Sequence, residues 1–404
     1  MDFLEMPRFW ILLIALCLCN SLNAIKTDKM VNCYYSSWSH NDNFRVHLDP
    51  KDIDPYLCTH LSFAFLNIGT SGQFNVEEDL IYGLLNRTLN LKWRNPSLKI
   101  LAVVGGSRIS STQFSLLAAS ESQRSLFKYS LAANLLRLGF DGLDLHWLYP
   151  GSSGVTGDKQ NFVTLLSELK ETLQPLNLEF GVTVSGKISY ARKWYDVANI
   201  AKHVDFINIM TYNYTDGSSV AHDAPLFSED ENNVHATIQY WIDEGVPASK
   251  LNMGVAFTSR TFIIWNNENL RTNTGIDVKW PFSDIDSEFK PYAQMCHLEY
   301  ADLFYNTSFG FDVDAGASFV QDDVTWIGYE SPRALEMKMN YLQAKKLGGV
   351  MVWSLQNDDF LGTCSEKYPL LQIINRKLDH RYECRYRICC IKSIRLRSFC
   401  FYIE

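Results

Sequence analysis

The sequence predicts a single closed (β/α)8 TIM barrel with a small inserted subdomain, and three observations support this. Eight short apolar runs alternate with longer amphipathic stretches over 404 residues, a length that suits one barrel with insertions. The runs are almost continuously apolar, as is typical of parallel strands buried on both faces. One connection, between the seventh and eighth runs, is much longer than the others. A doubly wound open sheet is the alternative, but it usually has fewer strands, and no GxGxxG follows the first run.

The eight predicted strands are short and rich in β-branched and aromatic residues. They cover 31–38, 59–66, 99–106, 140–147, 178–185, 204–212, 251–257 and 348–355. Helical spacing of apolar residues is clearest over 114–139 and 161–173. The long connection is aromatic and rich in turns, so we expect an α+β subdomain over about 262–331. The next helix should begin at Ser331–Pro332, with serine as the cap.

The two ends of the chain differ from its body. Residues 1–24 resemble a secretory signal peptide, because an uncharged apolar run over 9–19 follows Arg8. This run is shorter than the roughly 20 residues of a membrane span, so we expect cleavage, a secreted, extracellular protein and no membrane span afterwards. The barrel then covers 25–378. The tail, 379–404, is basic and rich in cysteine without a clear period, and we expect it to be poorly ordered.

Charge and cysteine usage narrow the function classes. The net charge of −8 argues against a nucleic-acid partner. Eight cysteines remain after the predicted leader, and none has the spacing of a metal site, so disulfides in an oxidising compartment are the simpler interpretation. No metal or organic cofactor is implied. Asn86 and Asn306 begin glycosylation sequons that we expect to be exposed.

The most informative stretch is GFDGLDLHWLYP, residues 139–150. Alternate residues of a strand share a face, so Asp144, His146 and Leu148 point one way, and we expect them to point into the barrel. Catalytic groups of a barrel lie at the carboxyl ends of its strands. A purely structural role does not explain Asp144 well, because a buried carboxylate inside so apolar a run needs hydrogen-bonding partners.

This stretch resembles the fourth-strand signature of the family 18 chitinases, D-G-x-D-x-D-x-E. Asp141, Gly142 and Asp144 match it, His146 stands at the third Asp, and Leu148 stands at the catalytic Glu. The resemblance extends over roughly residues 30–370, through KILAVVGG, INIMTYN and the stretch around the eighth strand, in the same order as in the family.

The resemblance implies a substrate-assisted reaction in which the sugar's own acetamide attacks and the Glu protonates the leaving oxygen, an exception to the two-carboxylate scheme. Leu148 has no proton to give. Losing a general acid costs about 10²–10⁴-fold in rate. His146 is one same-face step deeper, roughly 6–7 Å along the strand, so it does not replace the acid. The degenerate catalytic positions are therefore Asp141, Asp144, His146 and Leu148, and we expect no intact catalytic set.

A ligand-binding floor remains. In the family a Trp at the position of Trp353 stacks on the reacting sugar, and a Tyr at the position of Tyr212 contacts the acetamide. The expected binding residues are Tyr35, Asp144, Tyr212, Asn213, Arg260 and Trp353. Asn213 also begins a sequon, but we expect it at the cleft floor and unmodified. Two departures weaken the cleft: Ser107 and Thr258 stand where the family has aromatic residues.

The resemblance also implies two disulfides, Cys33–Cys58 and Cys296–Cys364. Three functions stay open. The first is a chitinase-like lectin that binds chitin or N-acetylglucosamine oligosaccharides. The second is a growth-factor-like ligand for a cell-surface receptor with a vestigial cleft, favoured by Ser107 and Thr258. The third is an active chitinase that uses a different acid.

Overall fold

A computed structural model describes the barrel and much of its insertion. It covers residues 27–37, 47–69, 73–75, 79–153, 155–215, 220–263, 289–300, 308–321 and 325–379. The predicted signal peptide, Asn306 and the tail beyond residue 379 lie outside the described residues.

Eight parallel strands close into a barrel, as the sequence predicted. The strands up to the insertion are β1 (Met30–Ser36), β2 (His60–Ile68), the short β3 (Phe74–Asn75), β4 (Lys99–Gly105), β5 (Gly142–His146), β6 (Glu179–Ser185), β7 (Phe206–Met210) and β8 (Leu251–Ala256). The last barrel strand is β14 (Gly349–Trp353), and the neighbour order is β1-β14-β8-β7-β6-β5-β4-β2, with β1 pairing β2. In the same sheet, as far as the structure describes it, β3 lies outside the ring as an antiparallel extension of β2.

Helices pack around the outside of the barrel and within the insertion. They are α1 (Asp79–Leu89), α2 (Ser111–Ala119), α3 (Glu121–Leu138), α4 (Asp158–Leu173), α5 (Ile188–Trp194), α6 (Val197–His203), α7 (Val234–Asp243), α8 (Tyr292–Tyr300), α9 (Pro332–Ala344) and α10 (Pro369–Leu378). Ser331 caps α9 by accepting the backbone N–H of Ala334, and Pro332 occupies the first turn, as expected. None of the helices in the described ranges has the length and apolar character to cross a bilayer.

The insertion between β8 and β14 carries a five-stranded antiparallel sheet. Its strands are β9 (Thr258–Ile263), β10 (Phe289–Pro291), β11 (Ser308–Asp312), β12 (Ala317–Gln321) and β13 (Thr325–Tyr329), in the order β10-β9-β13-β12-β11. The sheet begins at Thr258, directly after β8, and so earlier than the expected start near residue 262. An ion pair between Lys338 on α9 and Glu330, both almost fully buried, ties this sheet to the barrel.

The barrel strands have one buried region on each side, an outer one facing the helices and an inner one inside the ring. The large apolar core lies between the strands and the surrounding helices. Inside the ring a much smaller apolar cluster contains Tyr34, Ala64, Phe65, Val103 and Met351. Below it, side-chain hydrogen bonds join Asn32 to Ser62 and Asn208 to Asn252. The inside of this barrel is therefore built to satisfy polar groups and not only to exclude water.

Two disulfides cross-link the chain, at the pairs that the resemblance implied. Cys33 on β1 is bonded to Cys58, and Cys296 on α8 is bonded to Cys364, with Cα–Cα distances of 6.1 and 6.0 Å. They close loops with sequence separations of 25 and 68 residues. The second pair fastens the insertion to the segment after β14.

We predict that removing either disulfide lowers the free energy of unfolding by about 3–4.5 kcal/mol, because each cross-link restricts the unfolded chain. The paired changes Cys33→Ala with Cys58→Ala and Cys296→Ala with Cys364→Ala test this by denaturant unfolding. Peptide mapping without reductant should recover both pairs from the wild-type protein. A free thiol at any of the four cysteines in that map would contradict the assignment.

Candidate ligand-binding cleft

Asp144 lies at the centre of the barrel interior. Its side chain is fully buried on β5 and accepts hydrogen bonds from three strands. The Tyr34 hydroxyl from β1 donates to Oδ2 at 2.5 Å, and the Asn208 amide from β7 donates to the same oxygen at 2.8 Å. The Thr183 hydroxyl from β6 lies 2.9 Å from both carboxylate oxygens. These donors supply the partners that a buried carboxylate needs.

Burial and hydrogen bonding act on Asp144 in opposite directions. Burial disfavours the charged form and raises the pKa of this carboxyl to about 6, although the bonds from Tyr34, Thr183 and Asn208 oppose the shift. Near neutral pH the carboxylate form therefore still predominates. The same burial raises the pKa of the Tyr34 phenol well above its ordinary value, so this hydroxyl remains a donor.

His146 follows Asp144 on the same face, as the alternation predicted. It is 3% exposed, and its ring centroid lies 5.3 Å from that of Phe65 and 6.5 Å from that of Tyr34. Neither ring nitrogen has a hydrogen-bond partner among the described residues. Burial lowers the pKa of His146 to about 3, so the imidazole is neutral at physiological pH.

An aromatic floor lies beside His146. Trp353, at the end of β14, stacks on Phe65 with ring centroids 6.0 Å apart and meets Tyr34 edge-on at 5.6 Å. Tyr212 packs against the same cluster, with its hydroxyl 3.9 Å from the Met351 sulfur. Of the expected binding residues, the structure thus brings together Asp144, Tyr212 and Trp353, and the Trp353 side chain is half-buried at the carboxyl end of its strand.

Two glycines after β4 make room for this floor. Gly106 has φ of +60°, and a Cβ there would lie 2.3 Å from the Phe65 ring. Gly105 has φ of +120°, and its Cβ would lie 2.1 Å from the carbonyl oxygen of His146. Both the backbone conformation and the close approach require glycine at these positions. The pair therefore lets β4, β5 and the Phe65 ring pack closely under the mouth.

Leu148 lies just beyond the end of β5, two residues after His146, and is half-buried. Its aliphatic side chain has no group that donates or accepts a proton. In the direction from Asp144 toward the mouth, the carboxylate is therefore followed by a neutral imidazole and then by a leucine.

Tyr35 does not line the interior, and our expectation that it would was wrong. It is fully buried on the outer side of β1, where it packs against Phe63 and donates a hydrogen bond to the Leu48 carbonyl at 3.0 Å. Since successive strand residues face opposite sides, the neighbouring Tyr34 takes the interior position. The error was one residue of register.

Asp141 is also remote from the interior group. It lies at the amino end of β5, where both carboxylate oxygens are 2.8 Å from the Lys92 ammonium and one accepts the Ile100 backbone N–H. These contacts fix the start of β5 against β4, so Asp141 has a structural position and no place in the cleft.

Asn213 was expected to be placed at the cleft floor by its strand, and the strand position was wrong. The strand β7 ends at Met210, and Asn213 has φ of +58° and an exposed side chain. The expectation that burial would prevent its glycosylation therefore loses its basis. Its Oδ1 is 3.4 Å from Arg260, whose buried guanidinium also bonds the Thr215 carbonyl at 2.8 Å and Asp223 at 3.2 Å. Arg260 thus anchors the segment after β7.

Sequence reasoning missed an aromatic group at the mouth. Tyr149, directly after Leu148, stacks on Trp194 at 5.7 Å, and Tyr190 contacts both rings, with centroids 5.2 and 4.3 Å away. All three are half-buried. Gly151 permits this packing, because a Cβ there would lie 2.8 Å from the Trp194 ring. The aromatic content of α5 was the only signal in the sequence.

A metal centre is not supported by the described ranges. The single group of potential ligands within reach of one another there is Cys296, Asp359 and Cys364, and both sulfurs are consumed by a disulfide. The barrel interior offers one carboxylate and one imidazole in its described part, which is too few for a protein metal site.

Comparison with known proteins places these observations in a family. Residues 30–358 match the glycosyl hydrolases family 18. Mouse (Mus musculus) chitotriosidase-1 is 31% identical over 371 residues, covering 86% of this chain and 77% of that protein. The group IV chitinase of Ostrinia furnacalis has a TM-score of 0.80 at 34% identity, covering 87% of this chain and 99% of the other.

A further neighbour is human YKL-39, described as a pseudo-chitinase with retained chitooligosaccharide binding, with a TM-score of 0.78 at 28% identity, covering 87% of this chain and 99% of the other. The similarity to proteins named as chitinases and to one described as a pseudo-chitinase covers 86–87% of this chain. The chain belongs to glycosyl hydrolase family 18.

Proposed function

We propose that this protein is a secreted, chitinase-like lectin that binds N-acetylglucosamine oligosaccharides in the barrel cleft and does not hydrolyse them. The observation that carries the proposal is the series Asp144, His146 and Leu148 along β5. The carboxylate is retained with all its donors, while the position nearest the mouth holds an aliphatic side chain.

The absence of hydrolysis follows from proton transfer. The leaving oxygen of a glycoside needs a proton, and a leucine at the position of the acid supplies none. His146 is an inadequate acid, because an imidazole with a pKa of about 3 is neutral at neutral pH and its remaining N–H is not acidic enough to protonate a leaving oxygen. Asp144 is closer to a suitable pKa, but its oxygens are occupied by Tyr34, Thr183 and Asn208.

Sugar binding is supported by the retained aromatic surface. The face of an indole suits the apolar face of a pyranose, and Trp353 is held in place by Phe65 and Tyr34. The rings of Tyr149, Tyr190 and Trp194 add aromatic surface at the mouth, beside the end of β5. YKL-39 is described as a pseudo-chitinase that retains chitooligosaccharide binding, and we propose the same pair of properties for this chain.

A growth-factor-like ligand with a vestigial cleft is the second candidate. Ser107 is exposed and Thr258 is half-buried at positions where the resemblance implied aromatic residues, which reduces the stacking surface. In this function the exterior would contact a cell-surface receptor, and the cleft would be unoccupied.

We predict no measurable turnover of a fluorogenic chitooligosaccharide by the natural protein, together with saturable binding of N-acetylglucosamine oligomers in the same preparation. Calorimetry measures binding and fluorescence measures release. The matched control is Asp144→Ala, which should leave the background rate unchanged. Hydrolysis by the natural protein that Asp144→Ala abolishes would establish an active enzyme instead.

We predict that Leu148→Glu alone stays near background, while Leu148→Glu combined with His146→Asp is at least about ten-fold faster. A second carboxylate raises the pKa of the introduced glutamate, and one unit increases its protonated fraction about ten-fold. A neutral His146 carries no charge and therefore does not raise the pKa of the introduced glutamate. Rescue should be partial, because Ser107 and Thr258 leave the cleft without the two aromatic side chains that the family has at these positions. Equal rates for the single and double variants would refute this electrostatic reason.

We predict that the full chain expressed in animal cells is cleaved near residue 24, enters the medium and carries a glycan at Asn86, whose side chain is exposed on α1. Mass spectrometry of secreted peptides measures both modifications, and Asn86→Gln is the control that removes that glycan. Retention in the cells with an intact N-terminus would contradict secretion.

A further inference from the structure

We propose that Asn213 carries an N-linked glycan, and that this glycan covers the β7 side of the barrel mouth. The inference goes beyond the proposed function, on which it rests for export of the chain and for the ligand used in the test. Asn213, Tyr214 and Thr215 form a sequon, the acceptor sequence for this modification. A sequon alone is common, so the contacts of its residues in the fold carry the argument.

The backbone of this sequon is held with the acceptor side chain outward. The Asn213 N–H donates to Asp223 Oδ2 at 3.0 Å, and the Tyr214 N–H donates to the Asp223 carbonyl at 3.0 Å. Tyr214 is buried, and its hydroxyl lies 2.7 Å from that of Thr237. Between this tyrosine and the half-buried Tyr212, Asn213 is the exposed residue. Its φ of +58° is one that asparagine adopts more readily than most residues.

The atom that accepts the sugar is the amide nitrogen Nδ2 of Asn213. Arg260 lies 3.4 Å from Oδ1, and a guanidinium only donates, so the oxygen is the amide atom that faces it. The hydrogen bonds of Asn213 to described residues thus use its backbone N–H and Oδ1. A glycan on Nδ2 therefore breaks no hydrogen bond within the described ranges.

The reaction transfers an oligosaccharide from a lipid pyrophosphate to the chain during export. Nδ2 of Asn213 attacks the anomeric carbon of the first sugar, and a C–N bond forms while the bond from that carbon to the pyrophosphate oxygen breaks. The amide loses one proton, and the lipid pyrophosphate leaves. Thr215 supplies the hydroxyl residue of the acceptor sequence. The unfolded chain is the substrate, so the half-burial of Thr215 in the folded protein does not prevent transfer.

Asn213 is located at the mouth of the barrel. β7 ends at Met210, and the carboxyl ends of the strands define the mouth. Tyr212 packs against the inner apolar cluster together with Trp353, and the Cα atoms of consecutive residues are about 3.8 Å apart. A bulky glycan on Asn213 consequently stands beside the surface proposed to stack on sugars. It obstructs the entry of a long oligosaccharide more than that of a disaccharide.

The experiment uses the full chain secreted by animal cells, as the natural protein and as three variants. Thr215→Ala removes the sequon without changing Asn213, and Thr215→Ser is the matched control that keeps it. Asn86→Gln removes the glycan predicted near the end of α1, which leads into β4 and so lies at the opposite end of the barrel. Peptide N-glycosidase in ¹⁸O-water converts each glycosylated asparagine to labelled aspartate, which mass spectrometry detects.

We expect the label at position 213 in the natural protein and in Thr215→Ser, and not in Thr215→Ala. Stopped-flow tryptophan fluorescence then measures the association of tetra-N-acetylchitotetraose. Thr215→Ala should associate about two- to five-fold faster than the natural protein, because fewer directions of approach are blocked. Thr215→Ser and Asn86→Gln should match the natural rate, and di-N-acetylchitobiose should show a smaller difference. Near-ultraviolet circular dichroism checks the fold of each variant.

The outcomes that contradict the inference are distinguishable from failure of the proposed function. A secreted natural protein that is labelled at Asn86 and unlabelled at Asn213 overturns the modification site. Label at Asn213 with equal association rates for Thr215→Ala and the natural protein overturns the covering of the mouth. If no form binds the tetrasaccharide, the lectin function fails and the covering role fails with it, while the label still decides the modification site.

Discussion

A single buried carboxylate organises the inside of this barrel. Asp144 is fully excluded from solvent, and a charge in that position is tolerated only with donors on every side. Tyr34, Thr183 and Asn208 supply them from three different strands, and Asn208 is itself bonded to Asn252. The hydrogen bonds to this carboxylate thereby fix which residues of these strands face inward. They also fix the positions of the side chains that lie between the carboxylate and the barrel mouth.

Above that fixed layer the chain departs from the family signature. Family 18 catalysis needs a proton donor at the mouth, and the chain offers Leu148 there and the neutral His146 beneath it. The floor nevertheless keeps the buried and stacked aromatic arrangement of Tyr34, Phe65 and Trp353. Retaining a buried carboxylate with donors from three strands is easier to understand if the interior still binds something than if the cleft is vestigial.

The architecture and the positions that differ from the family signature could be predicted from the sequence. The register of individual strands and the contacts between segments far apart in the sequence could not. Strand periodicity located all eight barrel strands, and the spacing on β5 placed Asp144 and His146 inside. Both Tyr34 and Tyr35 suit a buried strand, so pattern alone did not choose between them. The position of Asn213 depends on where β7 ends, and the grouping of Tyr149 with Trp194 depends on how the loop after β5 packs against α5.

The most direct test of the account is a crystal structure of the natural protein soaked for hours in tetra-N-acetylchitotetraose near pH 7. We predict an uncleaved oligosaccharide in the barrel mouth, with one pyranose stacked on Trp353 and its amide within hydrogen-bond distance of the Tyr212 hydroxyl. A shortened sugar in the cleft would show that hydrolysis persists without the acid. An empty cleft at saturating ligand would contradict the central claim that the barrel interior remains a glycan-binding site.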